Sequence, residues 1–288
     1  MIDAFREAYM QRALLEVVLL GALAGIVSVY VLLRRLAFVS DAITHTIFPG
    51  VAIAFVAGWS LFLGALVFAL LSALLLTFAT RVPKVDHDAA LGVLVGAFFS
   101  LGVVIVSTRR TYTADLTALL FGRILTVDRS EILETSAVAV VALVALALMH
   151  KELVLRAFDP IGAQSAGYRV ALLDLSLNAI VALVVVAGVR AVGTVLVIAL
   201  IVVPGATARL LVGRVTPMLA VSAAVSVFCG FVGLVVSYEA SARHGARLGS
   251  GATIVITLTI VFAVVAVATA WHRRRPLRPA RAAQAGVG

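Results

Sequence analysis

Asp41 and His45 stand four residues apart in the stretch Arg-Arg-Leu-Ala-Phe-Val-Ser-Asp-Ala-Ile-Thr-His-Thr-Ile-Phe-Pro-Gly, residues 34–50. On a helix that spacing sends both side chains out from one face. Pro49 follows His45 by four positions, and its missing N–H removes the helical partner of the His45 carbonyl. A carboxylate, an imidazole and a carbonyl are therefore expected to point toward one region. Oxygen and imidazole donors together suit Mn²⁺, Fe²⁺ or Zn²⁺, and the absence of thiolate ligands argues against a Cu(I) path. Two side chains do not fill a coordination shell, so carbonyls, water or a second copy of the chain must supply the rest. A weak, incomplete site suits an ion that must leave as well as enter. The reading that needs no cation is a satisfied polar pair, with Asp41 bonded to His45 or capping the helix after Ser40.

The elements that must hold this pair lie in a membrane. Of 288 residues, 63% are hydrophobic and 13% charged, and the mean hydropathy is +1.16. A water-soluble domain of this size carries far more polar surface, so the fold class is an all-α, polytopic bundle of transmembrane helices. Apolar runs long enough to span fall near 13–33, 42–57, 60–80, 89–107, 131–150, 171–189, 192–211, 216–238 and 249–271. The second is short and interrupted by Pro49-Gly50, so it either crosses, giving nine spans, or re-enters, giving eight. Asp41 and His45 are thereby expected side by side in mid-bilayer, where ionisable groups are costly and mark a permeation path.

The net charge of +9 is spread in short clusters between apolar runs and in the tail, which is a topology signal and not a nucleic-acid surface. With the N-terminus outside, 14 of the 23 Lys and Arg fall on the inner side, which favours N-out, C-in. Residues 1–12 then form a short interfacial helix on the outer side, with Phe5, Tyr9 and Met10 toward lipid. Acidic residues mixed among the first basic ones argue against a cleaved signal peptide. Residues 13–271 make the membrane domain. Residues 272–288, rich in Arg, Pro and Ala, read as a disordered basic tail in the cytoplasm.

Several further segments bear on mechanism. Pro204-Gly205 interrupts another span and frees the carbonyl of Leu200, either as a plain kink or as a counterpart of Pro49-Gly50 at a central site. In the loop 151–170, Asp159 suits an N-cap, Pro160 the first helical turn and Gly167 a left-handed terminator. These signals predict a two-turn helix standing alone on the cytoplasmic side, as a connector or as a docking element. Residues 109–129, with Tyr112, Asp115, Leu116 and Phe121, suggest an interfacial helix at the outer mouth. Gly21 with Gly25, and Gly92 with Gly96, have small-xxx-small spacing for close helix packing. Cys229 reads as a small buried apolar residue. The only lysines, Lys84 and Lys151, do not follow the glycine that a phosphate-binding G-x-x-x-x-G-K-[ST] loop requires. The chain has no ATP site of that kind and is not expected to be an enzyme.

Four motifs in order resemble the permease subunits of ABC-type divalent-metal importers, the manganese/zinc/chelated-iron family. The most specific is the basic pair followed by D-A-x-x-H-x-x-x-P-G-x-A at Asp41 to Ala52. The others are Asp115-Leu116 with Leu120-Phe121-Gly122, then Phe158-Asp159-Pro160 with Ala166-Gly167, then Val192–Leu196 leading to Pro204-Gly205-Ala206-Thr207-Ala208-Arg209. The resemblance covers about residues 10–271. It implies a type II ABC importer permease in the cell membrane, acting as a homodimer with the metal path at the dimer interface. It also implies two copies of a separate cytoplasmic ATPase and a metal-binding protein outside. Asp41 and His45 fall on the family's metal ligands. Pro49, Gly50, Pro204 and Gly205 fall on its kinks, and Asp159, Pro160, Ala163, Ser165, Ala166 and Gly167 on the segment that meets the ATPase. No cofactor is expected beyond the transported ion, with Mn²⁺ or Zn²⁺ favoured and Fe²⁺ allowed.

Other classes remain to be weighed. A stand-alone secondary transporter would use Asp41 and His45 as a proton relay, and metal uptake without any ATPase would mark it. A permease for a siderophore or other metal chelate would have a wide path lacking the Asp–His pair. An intramembrane metalloenzyme would need more ligands, whereas His87, His150, His244 and His272 fall at span ends or loops.

Overall fold

The structure, a computed structural model, describes residues 7–79, 86–107, 124–244 and 249–274. Residues 1–6, most of the expected outer-mouth helix and the tail from 275 lie outside the described residues. Among the described residues twelve α-helices follow one another, with no strand. They are α1 (Ala8–Leu33), α2 (Ala37–Thr46), α3 (Phe48–Ala57), α4 (Leu61–Ala79), α5 (His87–Ser107) and α6 (Arg129–Leu148). Next come α7 (His150–Phe158), α8 (Pro160–Ser165), α9 (Val170–Val192), α10 (Thr194–Leu211), α11 (Val215–His244) and α12 (Ser250–Arg274). Nine segments among the described residues are long and apolar enough to cross a membrane, and the second is α2 with α3 taken together, Ala37–Ala57. The interrupted run therefore has the length of a full span.

Two expectations are corrected. Residues 8–12, expected in a separate interfacial helix, belong to the first span, because α1 runs unbroken from Ala8. Met10, expected to face lipid, is fully buried, while Tyr9 is exposed: one hydrophobic helix face continues to the end of α1 and packs inward there. The stretch after α6, read as a loop from residue 151, is helical through Phe158.

The bundle is built around α1, which packs against α10 and α11 and also meets α6 and α9. Lipid tails are as apolar as leucine, so helix association depends on close van der Waals fit and on shared polar groups. Both are present. The Ser222 hydroxyl donates to the Gly25 carbonyl at 2.6 Å, and a Cβ at Gly25 would strike Ala223 and Ser222 of α11. Gly21 and Gly25 are thus used for packing within the protomer. Gly92 and Gly96 are not, since nothing lies within 4 Å of a side chain placed there. Between α3 and α4, Gly50 and Gly64 approach each other's carbonyls so closely that a Cβ on either would clash.

Pro204 lies inside α10, and its neighbourhood is repaired from α1. The Gly205 N–H donates to the Ser28 hydroxyl at 2.8 Å, and that hydroxyl donates to the Val202 carbonyl at 3.4 Å. Freed backbone groups in a membrane helix need such partners. Ser28→Ala removes both of these hydrogen bonds from a buried joint, a loss of about 1–2 kcal/mol. The purified permease should melt several degrees lower in detergent, and an unchanged melting temperature would show that the backbone is satisfied some other way.

Candidate metal site

Asp41 and His45 both lie on α2, and the Asp41 carboxylate oxygen is 3.8 Å from His45 Nε2. That exceeds hydrogen-bond range, so the pair is not closed on itself. Asp41 does not cap the helix either, for no side chain caps the start of α2. Instead Asp41 offers its backbone carbonyl to the Thr44 hydroxyl at 2.6 Å, and its carboxylate stays open. The aspartate side chain is 49% exposed and the histidine 44%. Asp41 lies about 6 Å and His45 about 12 Å along the axis from the start of the span, at 1.5 Å per residue. On a span of 21 residues the pair thus sits in the half toward the α1–α2 turn, with His45 close to the midplane.

The expected free carbonyl of His45 is not found. A backbone N–H at the end of α2 reaches it, because the junction to α3 tightens by one residue and Pro49 falls at the start of a new helix. Helix ends commonly satisfy a stray carbonyl this way. Side-chain atoms therefore remain the available donors.

The pair opens into a cavity of about 350 Å³ between α2 and α5, lined also by Phe38, Ala42, Asp88, Leu91, Gly92 and Val95. Phe99 of α5 closes one side, edge-on to the His45 ring at 6.1 Å and stacked on Phe48 at 5.4 Å. Asp88 and Phe38 were not singled out in the sequence. Asp88 lies 47 positions from Asp41, and only the α2–α5 contact brings the two to one cavity. Among the described residues no group of three His, Cys, Asp or Glu is placed to hold a metal ion within a single protomer.

The other candidate residues are elsewhere. Pro204 and Gly205 are buried against α1, and Pro49 and Gly50 are buried behind the pair. On α8, the Asp159 carboxylate accepts from the Gly162 N–H at 2.8 Å, and Pro160 opens the helix. Gly167 has φ of +86°, and the Tyr168 N–H closes back on the Ala163 carbonyl at 3.1 Å. Glycine adopts that left-handed backbone without strain. Ala163 is buried, whereas Ser165, Ala166 and Gly167 are exposed. Ile161 is 76% and Phe158 61% exposed, two apolar side chains at the tip of an otherwise well-anchored turn. Their exposure had no separate signal in the sequence.

A hydrogen-bonded bridge joins the helix that leads into this tip to the turn before α2. Arg34, which caps α1 three residues before α2 begins, donates to Asp174 of α9 at 2.6 Å. Arg156, three residues before Asp159, donates to the other oxygen of the same carboxylate at 3.1 Å. At the opposite end of the bundle Arg190 pairs with Glu131 and Glu134.

Residues 6–269 match the ABC 3 transport family. The chain belongs to that family. Among curated proteins it is similar to the manganese transport system membrane protein MntC of Halalkalibacterium halodurans. The two are 35% identical over 259 residues, covering 89% of this chain and 86% of that protein. It is also similar to the manganese import system permease protein ScaB of Streptococcus parasanguinis, 33% identical over 264 residues, covering 91% and 92%. Among solved structures, PsaBC from Streptococcus pneumoniae in complex with Fab aligns with a TM-score of 0.81 and 29% identity, covering 92% of this chain and 93% of that one. An inward-facing metal-chelate type ABC transporter shares the fold at a TM-score of 0.70 and 17% identity, covering 90% and 85%. This member of the ABC 3 transport family is thus a multi-pass membrane protein and the permease subunit of an ABC metal transporter.

Half-exposed side chains that are not hydrogen-bonded to each other contribute little to folding. Asp41→Ala and His45→Ala should each change stability by no more than about 0.5 kcal/mol, read as melting temperatures close to that of the unaltered permease. A large drop in either would mark the pair as structural.

Proposed function

We propose that this chain forms, with a second copy of itself, the transmembrane path of an ATP-driven Mn²⁺ importer, and that Asp41 and His45 of both copies hold the ion in transit. The observation that carries this reading is the exposure of the pair. A carboxylate and an imidazole on a spanning helix are left open to the outside of the protomer, where contact with lipid would be costly. A second copy laid against α2 and α5 relieves that cost, and two-fold symmetry turns two ligands into four. Gly92 and Gly96 on α5, which nothing covers within the protomer, leave room for such an approach. Carboxylate and imidazole donors suit Mn²⁺, Fe²⁺ and Zn²⁺ alike, and the manganese relatives favour Mn²⁺ among them.

Energy enters at α8. Exposed Ile161 of α8 and Phe158 at the end of α7 offer an anchor for a cytoplasmic ATPase, one copy per permease, and the capped turn of Asp159 to Gly167 fixes their direction. A push on α8 reaches α2 through Arg156, Asp174 and Arg34. This orientation puts the α8 side and the C-terminus in the cytoplasm. A metal-binding protein delivers the ion at the opposite face, near Arg190. Pro49-Gly50 and Pro204-Gly205 set the kinks of the two spans that shape the path.

Uptake of ⁵⁴Mn²⁺ into cells bearing Asp41→Ala or His45→Ala should fall to background while permease and ATPase still co-purify. Full uptake by either variant refutes the site. Asp174→Asn should spare assembly and basal ATP hydrolysis yet lower ions moved per ATP by about fivefold or more. An unchanged ratio removes Asp174 from the coupling route.

A further inference from the structure

The α8 side holds a second, larger cavity of about 770 Å³ that the metal path does not use. It is walled by the α1–α2 turn, the end of α4, α7, the segment after α8 and the first turns of α9. Among the described residues, Arg34, Arg35, Arg156 and Arg169 line it, against one carboxylate, Asp174. Both oxygens of Asp174 are already engaged, by Arg34 and Arg156. Even so, Arg34 Nη1 and Arg156 Nε are buried without a hydrogen-bond partner. Arg35 and Arg169 are exposed and form no ion pair among the described residues. Arg35 also stands at φ of +55°, a left-handed backbone that a non-glycine residue rarely adopts. The resulting surplus of positive charge excludes a metal cation. Guanidinium forks match the oxygens of a phosphate.

We propose that this cavity binds the phosphate of an anionic glycerophospholipid headgroup, with Arg35 and Arg169 as its main contacts. The depth of the site favours a lipid over a free phosphate. Thr77 and Asn178, which line the cavity, belong to spans α4 and α9, so it lies where a span leaves the hydrocarbon. Basic pockets between helices at that level bind anionic headgroups. Alongside, α4 turns Leu71, Leu74, Leu75 and Phe78 outward, an apolar flank for acyl chains that a soluble anion would not need.

The test uses the permease purified with its ATPase, stripped of lipid, then given phosphatidylglycerol, phosphatidylcholine or inorganic phosphate. Native mass spectrometry reads retained lipid and melting temperature reads stabilisation. The unaltered complex should retain phosphatidylglycerol over phosphatidylcholine, and Arg35→Gly/Arg169→Gln should weaken that retention about tenfold or more. Glycine suits the backbone at position 35, so the variant should melt no lower than the parent in phosphatidylcholine. If it does, Arg35→Lys/Arg169→Lys, which keeps the charge, should recover phosphatidylglycerol binding. Equal retention of the two lipids overturns the proposal. So does stabilisation by inorganic phosphate alone, or loss of the ATPase from the variant with lipid retention intact.

Discussion

Charge is costly in hydrocarbon, and the α2 span carries a carboxylate and an imidazole on a face that the protomer leaves uncovered. That single constraint orders the rest. The pair is not hydrogen-bonded to itself, so both groups keep donor atoms free for a third partner. A cavity runs past it along α5, and small residues keep that cavity open. A bundle selected for packing alone would have put leucines at those positions.

Behind the pair, the fold is held by contacts of another kind. Membrane helices gain little from burying apolar surface against one another, so they rely on close approach and shared hydrogen bonds. Ser28 serving both sides of the Pro204 break, Ser222 on the Gly25 carbonyl and the meeting of Gly50 with Gly64 are of this type. They make α1, α10, α11 and the α3–α4 pair a stiff frame. The kinks read at Pro49 and Pro204 in the sequence are here set within closely packed joints.

The α8 side combines an exposed apolar tip with a dense guanidinium cluster. Asp174 sits between Arg34 and Arg156 and so joins the turn that leads into the site helix to the helix that leads into α8. The cluster carries more positive charge than its one carboxylate balances. The same few residues therefore tie two helices together and leave an electropositive cavity at a membrane boundary.

The sequence alone determined the class, the position of the apolar runs, the family, and the two side chains placed together on one face of α2. Each follows from short-range rules: hydrophobic length for the spans, four-residue spacing for Asp41 and His45, cap and terminator residues for α8. Contacts between distant segments were decided only in three dimensions. Asp88 and Phe99 join the site from α5, Arg34 and Arg156 meet on Asp174, and Met10 turns inward because α1 begins earlier than its hydrophobic run suggested. The His45 carbonyl, freed on paper by Pro49, is satisfied by a one-residue tightening that no spacing rule foresees. Periodicity fixes which way a side chain leaves its own helix, but what it meets there depends on how the other helices pack.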